Sequence, residues 1–343
     1  METNKFRNSN IELLRIICLI FIILHHSFCH SNIQITKLNI NYGLLYFLQY
    51  FGRVANNIFV IITGYYMVNK KTNKKTITKL ICETIFYSYI ILFIYLLFAH
   101  EKNIELILKS IIPILSNSNW FVTSYLLLYI SIPYINILIK NISKKEHFLL
   151  ISFMLLCFSI LPTISLLEQY FSCYIWFICL YLVGSYLQLY RNEENFSKSK
   201  YILIFSIVSL IVEIAFEYYF HTNIHYIGEV NNFIIFTLAI GIFIEFAYKE
   251  GFYNKYINYV ASSVLGIYLI HDNFILSPII WQKANLRSYI SSPCFWMYEI
   301  LVIIIIFVVC LIIDKIRQIC IEKTIFKFVD KKIQKIKTKN IEQ

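Results

Sequence analysis

Long apolar runs dominate the pattern of hydrophobic and polar positions along this chain. A helix that crosses a bilayer needs about 20 mostly apolar residues, and the sequence contains ten such runs separated by polar segments. The runs cover residues 11–29, 46–68, 80–98, 119–139, 148–167, 172–190, 201–220, 230–247, 257–277 and 296–316. The pattern predicts an all-α, polytopic membrane protein with about ten transmembrane helices. The first run contains Arg15, His25 and His26 and lacks a small-residue cleavage site, unlike a secretory signal peptide.

Composition and charge agree with this prediction and give it an orientation. Of the 343 residues, 58% are hydrophobic and only 15% are charged, too few charges to cover a soluble surface. With the N-terminus in the cytoplasm, 24 of the 31 Lys and Arg residues fall in inner segments and 5 in outer loops. Because cytoplasmic loops are enriched in Lys and Arg, both termini are predicted to be cytoplasmic. The net charge of +11 is chiefly a topology signal, and no nucleic-acid partner is expected.

The chain is predicted to form one membrane domain followed by a short basic tail. The domain covers residues 1–316, and residues 317–343 combine many lysines with regularly spaced apolar positions, which favours an amphipathic helix on the inner leaflet. The nine cysteines form no C-x-x-C pair, so neither a disulfide framework nor a zinc site is predicted, and no metal is expected.

Two ionisable residues in the first run share a helix face. Arg15 and His26 are eleven residues apart, which at about 100° and about 1.5 Å per residue puts them within about 20° of each other and about 16 Å apart along the axis. Arg15 is then near the cytoplasmic side and His26 in the outer half of the bilayer, whereas His25 lies about 100° away. Because ionisable residues are expensive in a membrane, the pair indicates a functional site. The alternative is a snorkelling arginine with a structurally bonded histidine.

Other polar residues fall at the same depth as His26. His271 and Asp272 lie towards the outer end of the ninth run, and Arg53 and Asn57 lie near the outer side of the second. Asp272 has two interpretations, since it either orients a histidine or serves the backbone at the helix end. Trp120 begins another run, where the interfacial aromatic belt is the alternative to a site role.

Carboxylates near the cytoplasmic side have structural interpretations. Ser9 followed by Glu12 three residues later fits a capping box. Glu83, near the inner end of the third run, suits an ion pair with a lysine.

Several stretches, taken in order, resemble the integral-membrane acyltransferase family 3. They are Glu12-Leu-Leu-Arg15 with His26, Arg53 to Phe59 with Gly64-Tyr65, Asn119-Trp-Phe to Tyr125, Trp176-Phe with Gly184-Ser-Tyr186, and Leu265-Gly-Ile-Tyr-Leu-Ile-His271. The resemblance spans most of the chain. It implies transfer of an acyl group, usually acetyl from cytoplasmic acetyl-CoA, to a hydroxyl of a cell-surface polysaccharide or its lipid-linked precursor. The abundance of Ile, Asn, Lys and Tyr suggests an AT-rich genome, so the expected location is a bacterial inner membrane.

The resemblance also implies roles for individual residues. His26 occupies the position of the catalytic histidine, with Arg15 and His271 as further catalytic candidates. The candidates for substrate binding are Arg53, Asn57, Trp120, Glu12, Lys70 and Lys71. The two lysines stand where many relatives have an Arg-x-Arg element, and lysine binds phosphate as a point charge without the bidentate geometry of arginine. Some relatives also carry an extracytoplasmic hydrolase-like domain that is not found here, so a separate extracytoplasmic partner is one expectation and action on its own is the other.

Two non-acyltransferase readings compete with this expectation. A polytopic transporter or flippase of a glycan or small molecule would also place His and Arg in the membrane. Transporters often show internal repeats and helices broken by Gly or Pro, whereas this chain has eight Gly, five Pro and no visible repeat. A polysaccharide polymerase would usually have a large outer loop, and none is predicted.

Overall fold

The computed structural model describes residues 7–31, 39–99, 101–116, 118–164, 173–191, 193–220 and 229–322. These residues form helices and turns, with no β-strand among them. The α-helices are α1 (Ser9–His30), α2 (Ile40–Met67), α3 (Lys74–Phe98), α4 (Ile104–Ile111), α5 (Trp120–Lys140), α6 (Lys144–Leu155), α7 (Leu161–Thr163), α8 (Cys173–Leu189), α9 (Glu193–Phe220), α10 (Phe233–Ala247), α11 (Lys255–Ala261), α12 (Val264–His271), α13 (Leu276–Ala284) and α14 (Phe295–Arg317). A π-helical turn, Leu156–Ile160, joins α6 to α7.

Seven helical segments of the described chain are long and apolar enough to cross a membrane. They are Ser9–His30, Ile40–Met67, Lys74–Phe98, Trp120–Lys140, Lys144–Thr163, Ser197–Glu217 and Phe295–Glu322. A further pair, Lys255–His271 with Leu276–Ser288, is bent by 87°, and two apolar helices, Cys173–Leu189 and Phe233–Ala247, are shorter. Each predicted apolar run coincides with one of these elements. The all-α, polytopic membrane fold is therefore confirmed, whereas the exact number of spans and the side of the termini stay predictions.

Helix α1 packs against several helices that are far apart in the sequence. It contacts α2, α10, α11, α12, α13 and α14. Its buried positions include Leu14, Leu19 and Ile23, each with no exposed surface. A residue on α1 can therefore meet partners from helices that are far apart in the sequence.

Two glycines let α2 and α8 approach closely. A Cβ atom at Gly64 would overlap the backbone of Tyr181, and one at Gly184 would overlap the carbonyl of Ile61. Small residues at helix interfaces are the usual means of close packing in membranes, where lipid offers no hydrophobic drive for association. Two stretches that carry the family resemblance thus meet in one tight contact.

The start of α1 differs from the sequence prediction. Asn8 is the N-cap, and its side-chain oxygen accepts a hydrogen bond from the backbone N–H of Asn10 at 3.0 Å. Ser9 is already helical, and its hydroxyl donates to Asn258 at 3.1 Å. The predicted capping box of Ser9 and Glu12 is therefore wrong, because Asn8 takes the cap and tertiary packing engages the serine. This leaves the Glu12 carboxylate available for ion pairs.

A buried ion cluster joins α3 to the end of α14. The Arg317 guanidinium contacts Glu83 and Asp314, each at 2.9 Å, and only 7% of the arginine side chain is exposed. Tyr87 donates to Asp314 at 2.6 Å. The described partner of Glu83 is thus an arginine, where the sequence suggested a lysine. The helix continues through Glu322, while residues 323–343 lie outside the described residues, so the amphipathic tail stays a prediction.

We expect Arg317→Met to destabilise the protein strongly, because Glu83 and Asp314 would stay buried without a counter-charge. Breaking a buried pair in this way typically costs about 3–5 kcal/mol. The measurement is thermal unfolding of the purified protein in detergent. Lys109→Met is the control, because Lys109 pairs with Glu105 on an exposed helix and its loss should leave the melting temperature unchanged. Equal melting temperatures for wild type and Arg317→Met would contradict this assignment.

Candidate functional site

Two histidines from distant parts of the chain meet inside the bundle. His26 lies on α1 and His271 ends α12, and their Nδ1 and Nε2 atoms are 3.1 Å apart. His271 is fully buried, whereas 15% of the His26 side chain is exposed. The other ring nitrogen of His271, Nδ1, lies 2.7 Å from the backbone oxygen of Ile267.

These contacts assign the protons on both rings in their neutral forms. A carbonyl oxygen only accepts, so His271 Nδ1 carries a hydrogen and donates it to Ile267. The Nε2 atom of His271 then has a lone pair, and His26 Nδ1 must be the donor in the contact between the rings. His26 Nε2 is therefore the unprotonated atom of its ring, and it has no hydrogen-bond partner among the described residues. It is positioned to accept a proton from an incoming group.

Asp272 directs its carboxylate towards His26. Its Oδ1 atom lies 3.4 Å from His26 Nδ1 and 3.9 Å from His30 Nε2. The side chain thus faces the first helix, although Asp272 is also the residue that caps α12. A carboxylate beside the donor nitrogen of a histidine holds the ring orientation and stabilises the imidazolium that forms on protonation.

Arg53 brings a positive charge to the same place. It lies on α2, close enough to His25, His26 and Cys29 for its charge to act on all three. Its Nε atom is buried and has no hydrogen-bond partner within the described part of the chain. The charge of this guanidinium is suited to stabilise an anion or a developing oxyanion nearby.

A cavity of about 420 Å³ extends from Arg15 towards this group. The wall that α1 contributes consists of Arg15, Leu19 and Ile22. The next position on that face is His26, because residues three and four apart are neighbours along a helix. The cavity is otherwise lined mainly by apolar and aromatic side chains, among them Phe59, Phe121, Val122, Tyr125 and Tyr268.

Two other helices continue the cavity wall into the same polar group. On α2 the lining residue Asn56 is followed, one turn further, by Arg53. On α12 the lining residue Tyr268 is followed by His271, and the two rings are 6.2 Å apart. The polar group therefore stands at the end of the cavity opposite to Arg15.

Two cations, each paired with a carboxylate, line the Arg15 end of the cavity together with Glu83. Arg15 and Lys79 both line it. Glu12 bridges Arg15 at 3.1 Å and Arg7 at 2.6 Å, and Lys79 pairs with Glu322 at 2.5 Å. This end is suited to a ligand with several negative charges.

The predicted loop lysines lie just outside this wall. Lys70 and Lys71 are exposed in the turn after α2. The ammonium of Lys70 is 5.5 Å from the ring centre of Tyr66, which lines the cavity. Lys79, which no sequence pattern singled out, lies one turn before Glu83 on α3 and belongs to the wall itself.

Asn57 and Trp120 are not part of the cavity wall. Asn57 is fully buried, donates to the Val230 carbonyl at 2.8 Å and accepts from Trp176 Nε1 at 3.0 Å, so both ends of its amide are occupied. Trp120 packs against Phe177 with ring centres 6.3 Å apart. In these contacts both residues support helix packing, and their predicted contact with substrate stays a prediction.

Comparison with protein families gave one match. A family model described as an acyltransferase domain matches residues 8–315. The matched segment includes Arg15, His26, Arg53 and His271. Searches of curated proteins and of solved structures each returned no match. In the part of the chain that the structure describes, no group of three or more His, Cys, Asp or Glu residues is arranged to hold a metal ion.

Proposed function

Because this chain belongs to acyltransferase family 3, we propose that it transfers an acetyl group from cytoplasmic acetyl-CoA to a hydroxyl of a cell-surface polysaccharide or its lipid-linked precursor. The membrane-helical fold and the family together make it a multi-pass membrane acyltransferase. The donor, the carbohydrate acceptor and the bacterial inner membrane belong to the proposal. The observation that carries it is the unprotonated Nε2 atom of His26, which lies one helical turn beyond a cavity whose far end is lined by Arg15 and Lys79.

The cavity suits an acyl-CoA in shape and charge. The phosphates of CoA are polyanionic, and they would be attracted to Arg15, Lys79 and the exposed Lys70 and Lys71. The narrow acyl-bearing arm would follow the apolar wall towards His26. The distance from Arg15 to His26 along α1, about 16 Å, lets one extended molecule bridge the two ends.

At the polar end, His26 would act as the general base. Its Nε2 atom accepts the proton of the acceptor hydroxyl as the oxygen attacks the acyl carbonyl. Asp272 stabilises the imidazolium, and the N–H of Arg53 donates to the oxyanion. The C–S bond to CoA then breaks, and the proton passes from His26 to the leaving thiolate. His271 acts by holding the His26 ring through the contact of 3.1 Å.

The remaining partners follow from this proposal. The lipid bilayer surrounds the helices, and the acceptor approaches from the outer side under the predicted orientation. A separate extracytoplasmic partner would complete delivery to the final polymer if this chain acts on a precursor. The family match does not support the transporter, flippase or polymerase readings.

We expect His26→Ala to reduce acetyl transfer by about 10²–10⁴-fold, the usual contribution of a general base. The measurement is release of CoA thiol and of glycan-bound acetate in membranes that contain equal amounts of protein. His147→Gln is the control, because His147 is buried against the carbonyl of Leu182, on a different helix from the polar group. Wild-type rates in His26→Ala would exclude His26 as the base.

We also expect Arg15→Met and Lys79→Met to raise KM for acetyl-CoA by about tenfold, on the scale of a lost charged hydrogen bond. The rate at saturating donor should change much less, because neither residue is at the reacting end. The measurement is initial rate against acetyl-CoA concentration at two salt concentrations. Lys102→Met, an exposed lysine in a different loop, is the control. An unchanged KM in both variants would remove the donor from this end of the cavity.

A further inference from the structure

Three aromatic side chains form a group that the proposed mechanism leaves unused. Tyr42 and Tyr46, one turn apart near the start of α2, have ring centres 5.8 Å apart and planes that differ by only 13°. Phe28 of α1 completes the group, with its ring centre 5.8 Å from that of Tyr42 and 5.6 Å from that of Tyr46. All three residues are half-buried, so part of each ring is open to a ligand. We call these three rings the aromatic platform.

The carboxyl group of Glu217, on α9, stands beside the aromatic platform. The hydroxyl of Tyr46 donates a hydrogen bond to its Oε2 atom at 2.6 Å. The other oxygen, Oε1, has no hydrogen bond within the described chain and is not a buried atom, so a ligand can reach it. Glu217 is the last residue of the apolar segment Ser197–Glu217. Under the predicted orientation, the platform therefore lies at the outer surface of the bilayer.

One face of α2 connects the platform to the polar group around His26. Tyr42, Tyr46 and Arg53 lie within about 40° of one another, because each residue of a helix turns by about 100°. The rise of about 1.5 Å per residue puts Tyr46 about 10 Å and Tyr42 about 16 Å beyond Arg53 along the axis. On α1, Phe28 follows His26 by two residues. The platform is thus in line with the reacting end and more than one sugar ring away from it.

The combination of groups suits one class of ligand. The faces of aromatic rings carry negative charge, and they attract the C–H bonds on the apolar face of a sugar ring. A carboxyl oxygen accepts a hydrogen bond from a sugar hydroxyl. A lipid chain would use the rings but leave Glu217 Oε1 without a donor, and a phosphate would be repelled by the carboxylate. A hydroxyl-rich sugar ring uses both parts.

We propose that the aromatic platform and Glu217 bind a sugar ring of the acceptor that is not the ring receiving the acyl group, an inference that rests on the proposed function. The acceptor is then recognised as an oligosaccharide, with one ring beside His26 and another on the platform. A fragment too short to reach the platform loses this second contact. The protein should therefore prefer longer acceptors to short ones.

The test uses the purified full-length protein, acetyl-CoA and fragments of increasing length from de-O-acetylated surface polysaccharide of the cells that make this chain. The measurement is kcat/KM for each fragment. For wild type we expect kcat/KM to rise by about tenfold from the shortest fragment that is acetylated to those that reach the platform, the scale of one or two aromatic contacts.

Variants of the platform separate binding of the remote ring from a structural role. Tyr42→Ala should abolish the rise and leave both kcat/KM for the shortest fragment and KM for acetyl-CoA unchanged. Tyr42→Phe keeps the ring and should keep the rise. Glu217→Ala should lower kcat/KM for long fragments by about fivefold, on the scale of one hydrogen bond. Tyr190→Ala is the control, because Tyr190 belongs to a different aromatic pair, with its ring centre 4.7 Å from that of Tyr186.

The outcomes distinguish this inference from the function beneath it. Equal loss of kcat/KM for short and long fragments in Tyr42→Ala would show a structural role and overturn the proposal. A wild-type kcat/KM that does not depend on fragment length, or a full rise in Tyr42→Ala or Glu217→Ala, would also overturn it. Each of these results would leave the acetyltransferase intact. Absence of acetyl transfer from the wild-type protein to fragments of every length would instead overturn the proposed function, and the sugar site with it.

Discussion

The interior of this bundle imposes one constraint on the polar groups that enter it. Hydrocarbon offers no water to bond, so a buried donor, acceptor or charge that finds no partner in the protein is costly. Arg317 meets the constraint with Glu83 and Asp314. The His26 and His271 rings meet it with each other and with the Ile267 carbonyl. The same constraint that stabilises the helices therefore also fixes the protons on the candidate base.

Helix α1 brings the polar groups of the site together because it packs against both α2 and α12. One face carries Arg15, Leu19 and Ile22 along the cavity and ends at His26. Helices α2 and α12 meet α1 at the level of that last turn and supply Arg53 and Asp272. Arg15 and His26 are thereby held about 16 Å apart, because both lie on one rigid helix with a rise of about 1.5 Å per residue.

The sequence could predict the features that depend on local periodicity. Apolar run lengths locate the helices, and the eleven-residue spacing places Arg15 and His26 on one face. Features that depend on which helices touch were out of reach. The direction of the Asp272 side chain, the arginine partner of Glu83 and the occupied amide of Asn57 are each set by residues more than 30 positions away. The cap at Asn8 was missed because packing engages Ser9 with Asn258.

The adjacent pair His25 and His26 shows how a helix sends neighbouring rings to different partners. The turn of about 100° between neighbours sends one ring towards α2 and the other towards α12. Each ring meets a backbone carbonyl or a second histidine at Nδ1, and each is left with a lone pair on Nε2. The Cys29 sulfur lies beside the His25 ring, 3.5 Å from Nε2 and 3.9 Å from Nδ1, whereas Nε2 of His26 has no hydrogen-bond partner among the described residues. Sequence spacing marked His26 as the partner of Arg15, and the hydrogen bonds add that His26 meets the second histidine, His271, whereas His25 is bonded to Gln49.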